Sequence, residues 1–250
     1  MSSMIEMNIR RLAELDFQAT EAINTLSTNL SFVGGNFRKI LITSCHPQEG
    51  KSFTSMNLLR SMAGLGMRVV LVDADIRASS LQGSYGIDVL MPEGEKYKGL
   101  SGYLFGRCEA EDILAKTNIP GAYLILSGRT VTNSLPLFNT NRLATLLDML
   151  AEHFDLVLVD APPVGTIIDA AKISTHCDGT LFVVQSGAVA VDELKESAAQ
   201  IEKSGCPIIG YVMNKYDDKR SGGRYYYRKP YYSKYGSTPR KSRTAKPSKE

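Results

Sequence analysis

Three loops bearing lysine or carboxylate groups stand in order along the 250-residue chain, each at the end of a short apolar run. The first, Cys45-His-Pro-Gln-Glu-Gly-Lys-Ser52, follows Ile40-Leu-Ile42. At a helix N-terminus, the N–H groups of residues 46–52 can surround a β-phosphate, where the helix dipole also favours negative charge. Lys51 then reaches the β- and γ-phosphates and the Ser52 hydroxyl ligates Mg²⁺. Glu49, Gly50 and Phe53 complete the expected nucleotide contacts. The last loop, Leu156-Val-Leu-Val-Asp160-Ala-Pro-Pro163, offers one carboxylate to the same cation, directly or through water. The middle loop, Val69-Val-Leu-Val-Asp73-Ala-Asp75-Ile-Arg77, offers two. Positions i and i+2 of an extended segment point the same way, so Asp73 and Asp75 can face one cation or one reacting hydroxyl. Hydrolysis of ATP needs one such acid; a second suits a general base for an incoming alcohol or phenol. Arg77 is placed to pair with them or to stabilise a transferring phosphoryl group. The bland alternatives are a chance Gly-Lys-Ser turn, an Asp160 that only caps its own turn, and a solvated acidic turn neutralised by Arg77. The strand–loop–helix context of the first loop, and the two Asp-bearing strands that follow it, weigh against them.

The chain ends in a segment of another character. Residues 216–250 hold 11 Lys/Arg against 3 Asp/Glu, while 1–215 hold 18 against 23, so a basic tail of +8 follows an acidic body of −5. Rich in Gly, Ser, Pro and Tyr and nearly free of aliphatic residues, the tail cannot bury enough surface to offset its ordering entropy and is expected to be disordered. Six tyrosines fall within eleven of its residues: Tyr225, Tyr226, Tyr227, Tyr231, Tyr232 and Tyr235. These are candidate phosphate acceptors for the site above. Aromatic core packing is disfavoured by the Arg, Lys and Gly around them, and a nucleic-acid stacking tail is a lesser alternative.

The rest reads as one α/β domain over residues 1–215. At 43% hydrophobic the chain can bury a full core. Four scattered cysteines, with no metal-ligand spacing, suit a reducing, cytoplasmic setting. No run approaches the roughly 18 apolar residues of a membrane span. Met4 to about Leu30 has helical period, with Ile5, Ile9, Leu12, Phe17, Ile23, Leu26 and Leu30 on one face. Apolar strands are expected at Ile40–Thr43, Arg68–Val72, Tyr123–Leu126, Leu156–Val159, Gly179–Val184 and Ile208–Val212. Helices are expected at Lys51–Ala63, Leu100–Phe105, Glu109–Ala115, Asn139–Glu152, Ile167–His176 and Val191–Ser204. The pattern predicts a P-loop NTPase-like parallel sheet covered by helices on both faces, with its ligand at the carboxyl ends of the strands.

The ordered set of Thr43-Ser with Gly50-Lys-Ser52, Val69 to Arg77 and Leu156 to Pro163 resembles the bacterial tyrosine kinases of capsule and exopolysaccharide assembly. Gly99-Leu-Ser-Gly-Tyr-Leu104, Leu126-Ser-Gly128, Ile168-Asp-Ala170 and Tyr211-Val-Met-Asn214 are similar to that family too, and the resemblance runs from Glu21 to the terminal tyrosines. It implies ATP and Mg²⁺ as cofactors, Asp75 and Asp160 with Ser52 as metal ligands, and Asp73 as the base that activates a tyrosine hydroxyl. It also implies that the tyrosine cluster of one subunit enters its neighbour's site in a ring, so that the tail is phosphorylated in trans. Further implied are a separate transmembrane modulator of the polysaccharide co-polymerase type that recruits the cytoplasmic kinase to the inner face of the membrane, and a cognate tyrosine phosphatase. Asn214 either approaches the adenine from the last strand or is a strand-end turn residue. No nucleic-acid partner is expected.

The chain departs from the family pattern at three places. The oligomerisation motif E-x-x-R-x-x-R aligns with Glu21-Ala-Ile-Asn24-Thr-Leu-Ser27, without either arginine. A proline-rich stretch is replaced by Arg129-Thr-Val-Thr-Asn-Ser134, and Gln48 stands where glycine is common in the phosphate loop. The rival class is the ParA/MinD-type switch ATPase, which carries a signature lysine at the position of His46; an imidazole cannot reproduce that lysine's reach. A third reading is a non-catalytic adaptor phosphorylated by another enzyme.

Overall fold

The segments Val69–Asp73 and Leu156–Asp160 are apolar up to their terminal aspartates and buried along their whole length, as strands covered on both faces must be. The structure, a computed structural model, describes residues 4–32, 37–165 and 168–216. In chain order the elements are β1 (Ile5–Ile9), α1 (Phe17–Phe32), β2 (Lys39–Ser44), α2 (Lys51–Gly64), β3 (Val69–Asp73), α3 (Leu81–Tyr85), β4 (Ile87–Leu90), α4 (Gly99–Leu104) and β5 (Ala115–Thr117). There follow β6 (Ala122–Ile125), α5 (Leu135–Phe138), α6 (Arg142–His153), β7 (Leu156–Asp160), α7 (Asp169–Ser174), β8 (Gly179–Gln185), α8 (Val191–Glu202) and β9 (Ile208–Asn214).

The strands form one sheet in the order β4-β1-β5-β6-β3-β7-β2-β8-β9. From β6 to β9 every neighbouring pair is parallel. Beyond β6 the sheet turns mixed: β5 runs antiparallel to β6, β1 parallel to β5, and β4 antiparallel to β1. The parallel sheet read from the sequence is thus the centre, and a three-strand extension lies beside it. Because side chains alternate along a strand, Leu41, Val70, Val72, Val157 and Val159 join one core with Leu143, Leu146, Leu147 and Leu150 of α6. Ile40, Ile42, Val69, Leu71, Leu156 and Leu158 join the other, with Met56, Leu58, Leu59 and Met62 of α2.

The N-terminal helix expected over 4–30 is a strand followed by a shorter helix. Met7 and Ile9 are buried between exposed Glu6 and Asn8, a period of two, and β4 and β5 supply the backbone partners. The Asp16 carboxylate accepts the Ala19 N–H at 2.8 Å and caps the helix that starts at Phe17. The helix expected at Glu109–Ala115 is a set of turns closed by Asp112, whose carboxylate accepts the Glu109 N–H at 3.0 Å; Ala115 then enters β5. The helix expected at Asn139–Glu152 is α6, which starts at Arg142, and a short α5 that was not expected precedes it. The tail from 217 onward, with its tyrosines Tyr225 to Tyr235, lies outside the described residues, as does Ile167 at the start of another expected helix.

Candidate active site

The loop from β2 to α2 is held open by its own polar groups. Ser44 Oγ donates to the His46 carbonyl at 2.7 Å. Glu49 is 2% exposed; its carboxylate accepts the His46 N–H at 2.8 Å and the Gln185 N–H at 3.2 Å, so it organises the loop from inside. From the end of β9, Asn214 Nδ2 donates to the Glu49 carbonyl at 2.9 Å, and Lys215 Nζ donates to the Gln48 carbonyl at 2.7 Å and to Gln185 Oε1 at 3.0 Å. Gly50 has φ 102°, and a Cβ there would stand 1.8 Å from Asn214 Nδ2, so only glycine lets the clamp close.

These features fit a phosphate group. No side chain caps α2, which leaves its first N–H groups directed into the loop. Lys51 is 9% exposed, and among the described residues its ammonium has no hydrogen-bond or ion-pair partner; the Asp160 carboxylate is the charge that feels it. A largely buried, unpaired ammonium beside open helix N–H groups is an anion cradle.

Asp73 and Asp160 end adjacent strands and stand opposite each other in register, exposed by 1% and 2%. Asp73 accepts the Ser79 hydroxyl and, at 3.3 Å, the Ser127 N–H. Burial, and then the charge of Asp160, push its carboxyl up to about 7 despite those donors. Asp160 is also raised by burial, an effect opposed by Lys51, Ser52 and Ser55, whose Oγ lies 3.3 Å from Asp160 Oδ1. Asp75 is half-buried, accepts the Ala78 N–H at 3.0 Å, and adds to the negative field at Asp160. Ser52, Asp75 and Asp160 could hold a cation. One hydroxyl and one or two carboxylates, completed by phosphate oxygens and water, is a donor set suited to Mg²⁺.

Arg77 takes another direction. Its Nε donates to Asp169 Oδ2 at 2.8 Å and to Ser134 Oγ at 2.7 Å, and Nη1 donates to the Thr132 carbonyl at 2.9 Å. Ser134 also donates to Asp169, which is 1% exposed. Arg77 therefore ties the loop after β3 to α7 and to the 129–134 segment. Tyr85, 7% exposed, lies with its hydroxyl 3.5 Å from the Ser52 carbonyl; burial, then Asp160, push its phenol up to about 12. A cavity of about 510 Å³ opens here, lined by Arg11, Lys51, Ser52, Phe53, Ser84 and Tyr85 among others.

The structure thus gathers Lys51, Ser52, Asp73, Asp75 and Asp160, sets Phe53 in the cavity wall, uses Glu49, Gly50 and Asn214 in the loop clamp, and turns Arg77 toward Asp169. Sequence reasoning passed over Ser79 and Ser127, which hold Asp73, along with Ser55, Tyr85 and Lys215. Ser127 and Asp169 stood in segments already noted for resemblance; the others carry no local signal. His46 Nε2 lies 2.7 Å from Glu193 Oε1 at the start of α8, a contact within the chain. At the motif positions of α1, Asn24 accepts the Ser61 hydroxyl at 3.3 Å and Ser27 is fully buried.

A family model described as an AAA domain matches residues 37–205. The tyrosine-protein kinase CpsD of Streptococcus agalactiae is 32% identical over 198 residues, covering 79% of this chain and 84% of that one. The kinase domain of the Escherichia coli tyrosine kinase ETK superposes with a TM-score of 0.72 at 27% identity, covering 82% of each chain. The cell division ATPase MinD of Pyrococcus furiosus, at 23% identity and a TM-score of 0.60 over 72% of each chain, shares the fold.

Proposed function

The chain belongs to the bacterial tyrosine kinases of capsule and exopolysaccharide assembly, and from that premise we propose that it binds ATP with Mg²⁺ and transfers the γ-phosphoryl group to the tyrosines of its own tail, Tyr225 to Tyr235, in trans. The observation that carries this reading is Asp73: a buried carboxyl held at about 7 beside Asp160, two residues from Asp75. A carboxyl near neutrality is matched to taking a proton from a phenol and releasing it again.

Lys51 and the N–H groups of α2 bind and orient the phosphates, while Asn214, Glu49 and Lys215 keep the loop rigid around them. Ser52, Asp75 and Asp160 would hold Mg²⁺, which when bound neutralises charge on the transferring group. Asp73, fixed by Ser79 and Ser127, accepts the acceptor's proton. Arg77, through Asp169 and Ser134, fixes the loop that carries both aspartates.

The same reading makes 217–250 the acceptor tail of a kinase domain ending near Lys215. It places the protein at the inner face of the membrane through a transmembrane modulator of the co-polymerase type, opposed by a tyrosine phosphatase. The modulator rests on the family alone; among the described residues no helix is long and apolar enough to cross a membrane. Any ring must use contacts other than the missing arginines; Asn24 is hydrogen-bonded to Ser61 of α2 and Ser27 is buried.

The test is incubation of the full chain with ATP and Mg²⁺, read by intact mass and phosphopeptide mapping, beside Lys51→Met and a variant with all six tail tyrosines changed to phenylalanine. Phosphate on Tyr225 to Tyr235, lost in both variants, is the expected result. ADP release without phosphotyrosine, even with a modulator-derived peptide present, would point to a switch ATPase instead.

A further inference from the structure

Arg11 stands where β1 hands the chain toward α1, and its backbone is fixed there. Ile9 is in register with Ile87 of β4, and the Arg11 N–H donates to the Tyr85 carbonyl at 3.0 Å. Its side chain lies against Gly86, which has φ 55°; a Cβ on Gly86 would come within 3.2 Å of Arg11 Nε. Neighbouring Arg10 is paired with Asp88. Among the described residues, Arg11 has no side-chain hydrogen bond or ion pair of its own. It lines the cavity that also contains Lys51, Ser52, Ser80, Ser84 and Tyr85: one unpaired guanidinium, one unpaired ammonium and four hydroxyls around an open volume of about 510 Å³.

The lining residues relate this cavity to the phosphate loop and to the strand that bears Asp73. Asn214 and Lys215 clamp the phosphate loop from β9, on one side of β2. One wall of the cavity comes from Ser80, Ser84 and Tyr85, which follow Asp73 at the end of β3 and Asp75 after it along the chain. Tyr85 feels the charge of Asp160, which ties this wall of the cavity to the carboxylates at the strand ends.

We propose that Arg11 is a further catalytic residue, a guanidinium supplied by the N-terminal segment of the same chain that contacts the phosphoryl group during transfer. The proposal rests on the kinase reading. In the step, the bond from the γ-phosphorus to the β,γ-bridging oxygen breaks and ADP leaves with that electron pair. The tyrosine oxygen forms the new bond to phosphorus, and its proton passes to Asp73. Negative charge spreads over the three equatorial oxygens as this happens. A planar fork of N–H donors matches such oxygens, whereas the Lys51 ammonium offers a point charge to one of them.

The experiment compares the full chain with Arg11→Ala and Arg11→Lys. ADP binding in Mg²⁺ is measured with and without tetrafluoroaluminate, a mimic of the phosphoryl group, alongside the initial rate of tyrosine phosphorylation and a thermal melt as a folding control. For Arg11→Ala the expected results are an ADP affinity within about twofold of the unaltered protein, a tetrafluoroaluminate enhancement reduced about tenfold or more, and a rate lowered about a hundredfold, with Arg11→Lys recovering part of the loss. Equal loss of ADP affinity would make Arg11 a nucleotide-binding residue and overturn the proposal. Unchanged enhancement and rate would overturn it as well. If the unaltered chain itself forms no phosphotyrosine, it is the kinase reading that fails, and the fluoride-dependent binding still decides whether Arg11 meets the phosphoryl group.

Discussion

Asp73 combines three conditions at one carboxyl: near-complete burial, a second carboxylate across the strand pair, and two hydrogen-bond donors that fix its orientation. Replacing it by asparagine keeps the shape and removes the proposed base. Asp73→Asn is expected to lower tyrosine phosphorylation by about 10²–10⁴-fold while ADP binding persists; retained activity would assign the base elsewhere. The raised carboxyl also sets a pH dependence of stability. Between its ordinary value of 3.8 and about 7, the folded chain holds a proton on Asp73 that the unfolded chain has released. The folded state then binds more protons, so stability falls as pH rises through that window. In protein freed of nucleotide and divalent cations, urea unfolding is expected to show that decline, and Asp73→Asn is expected to flatten it. At this scale the gathering of Lys51, Ser52 and the three aspartates was readable, because each stands at or just past the end of a recognisable apolar strand or at the start of the helix after it. Ser79 and Ser127 were not, because their role depends on which loops the sheet brings beside Asp73. Arg77 was read as a partner for the two aspartates or a stabiliser of the transferring phosphoryl group, whereas Asp169, 92 positions away, holds its Nε.

The elements place these groups through a few backbone requirements. Gly50 is the sharpest, since left-handed geometry and the 1.8 Å approach of Asn214 both exclude a Cβ. Gly50→Ala is therefore expected to abolish measurable ADP binding while the rest of the sheet still unfolds cooperatively; undiminished binding would show that the Asn214 clamp is dispensable. At α1, Asp16→Ala removes the carboxylate that accepts the Ala19 N–H. A loss of about 1 kcal/mol in urea unfolding is expected. The central strands and α2, α6 and α8 were legible because apolar runs and 3.6-residue stripes survive in any context. The segment 4–16 was not. Its apolar residues fit a helical face, but the partner strands β4 and β5, which are remote in sequence, decide the matter by offering backbone hydrogen bonds to an extended chain. The short β5 was misjudged for the same reason.

Across the whole molecule, an acidic body precedes a basic tail of +8 that carries the proposed acceptor tyrosines. Each phosphotyrosine adds about −1.5 to −2 charge, so four or so modifications would cancel the tail's charge and its attraction to acidic surfaces. Tail-dependent self-association of the unphosphorylated protein is thus expected to weaken from low salt to about 0.5 M, where screening is strong, and to be lost after phosphorylation; sedimentation velocity would show either. Insensitivity to salt would remove the charge basis for a cycle of assembly and release. The most direct measurement remains mass spectrometry of the full chain after incubation with ATP and Mg²⁺, beside Lys51→Met and Asp73→Asn. Phosphotyrosine within Tyr225 to Tyr235 of the unaltered chain alone is the expected result. ATP turnover in the unaltered chain with no phosphotyrosine, with or without a modulator-derived peptide, would contradict a self-phosphorylating kinase.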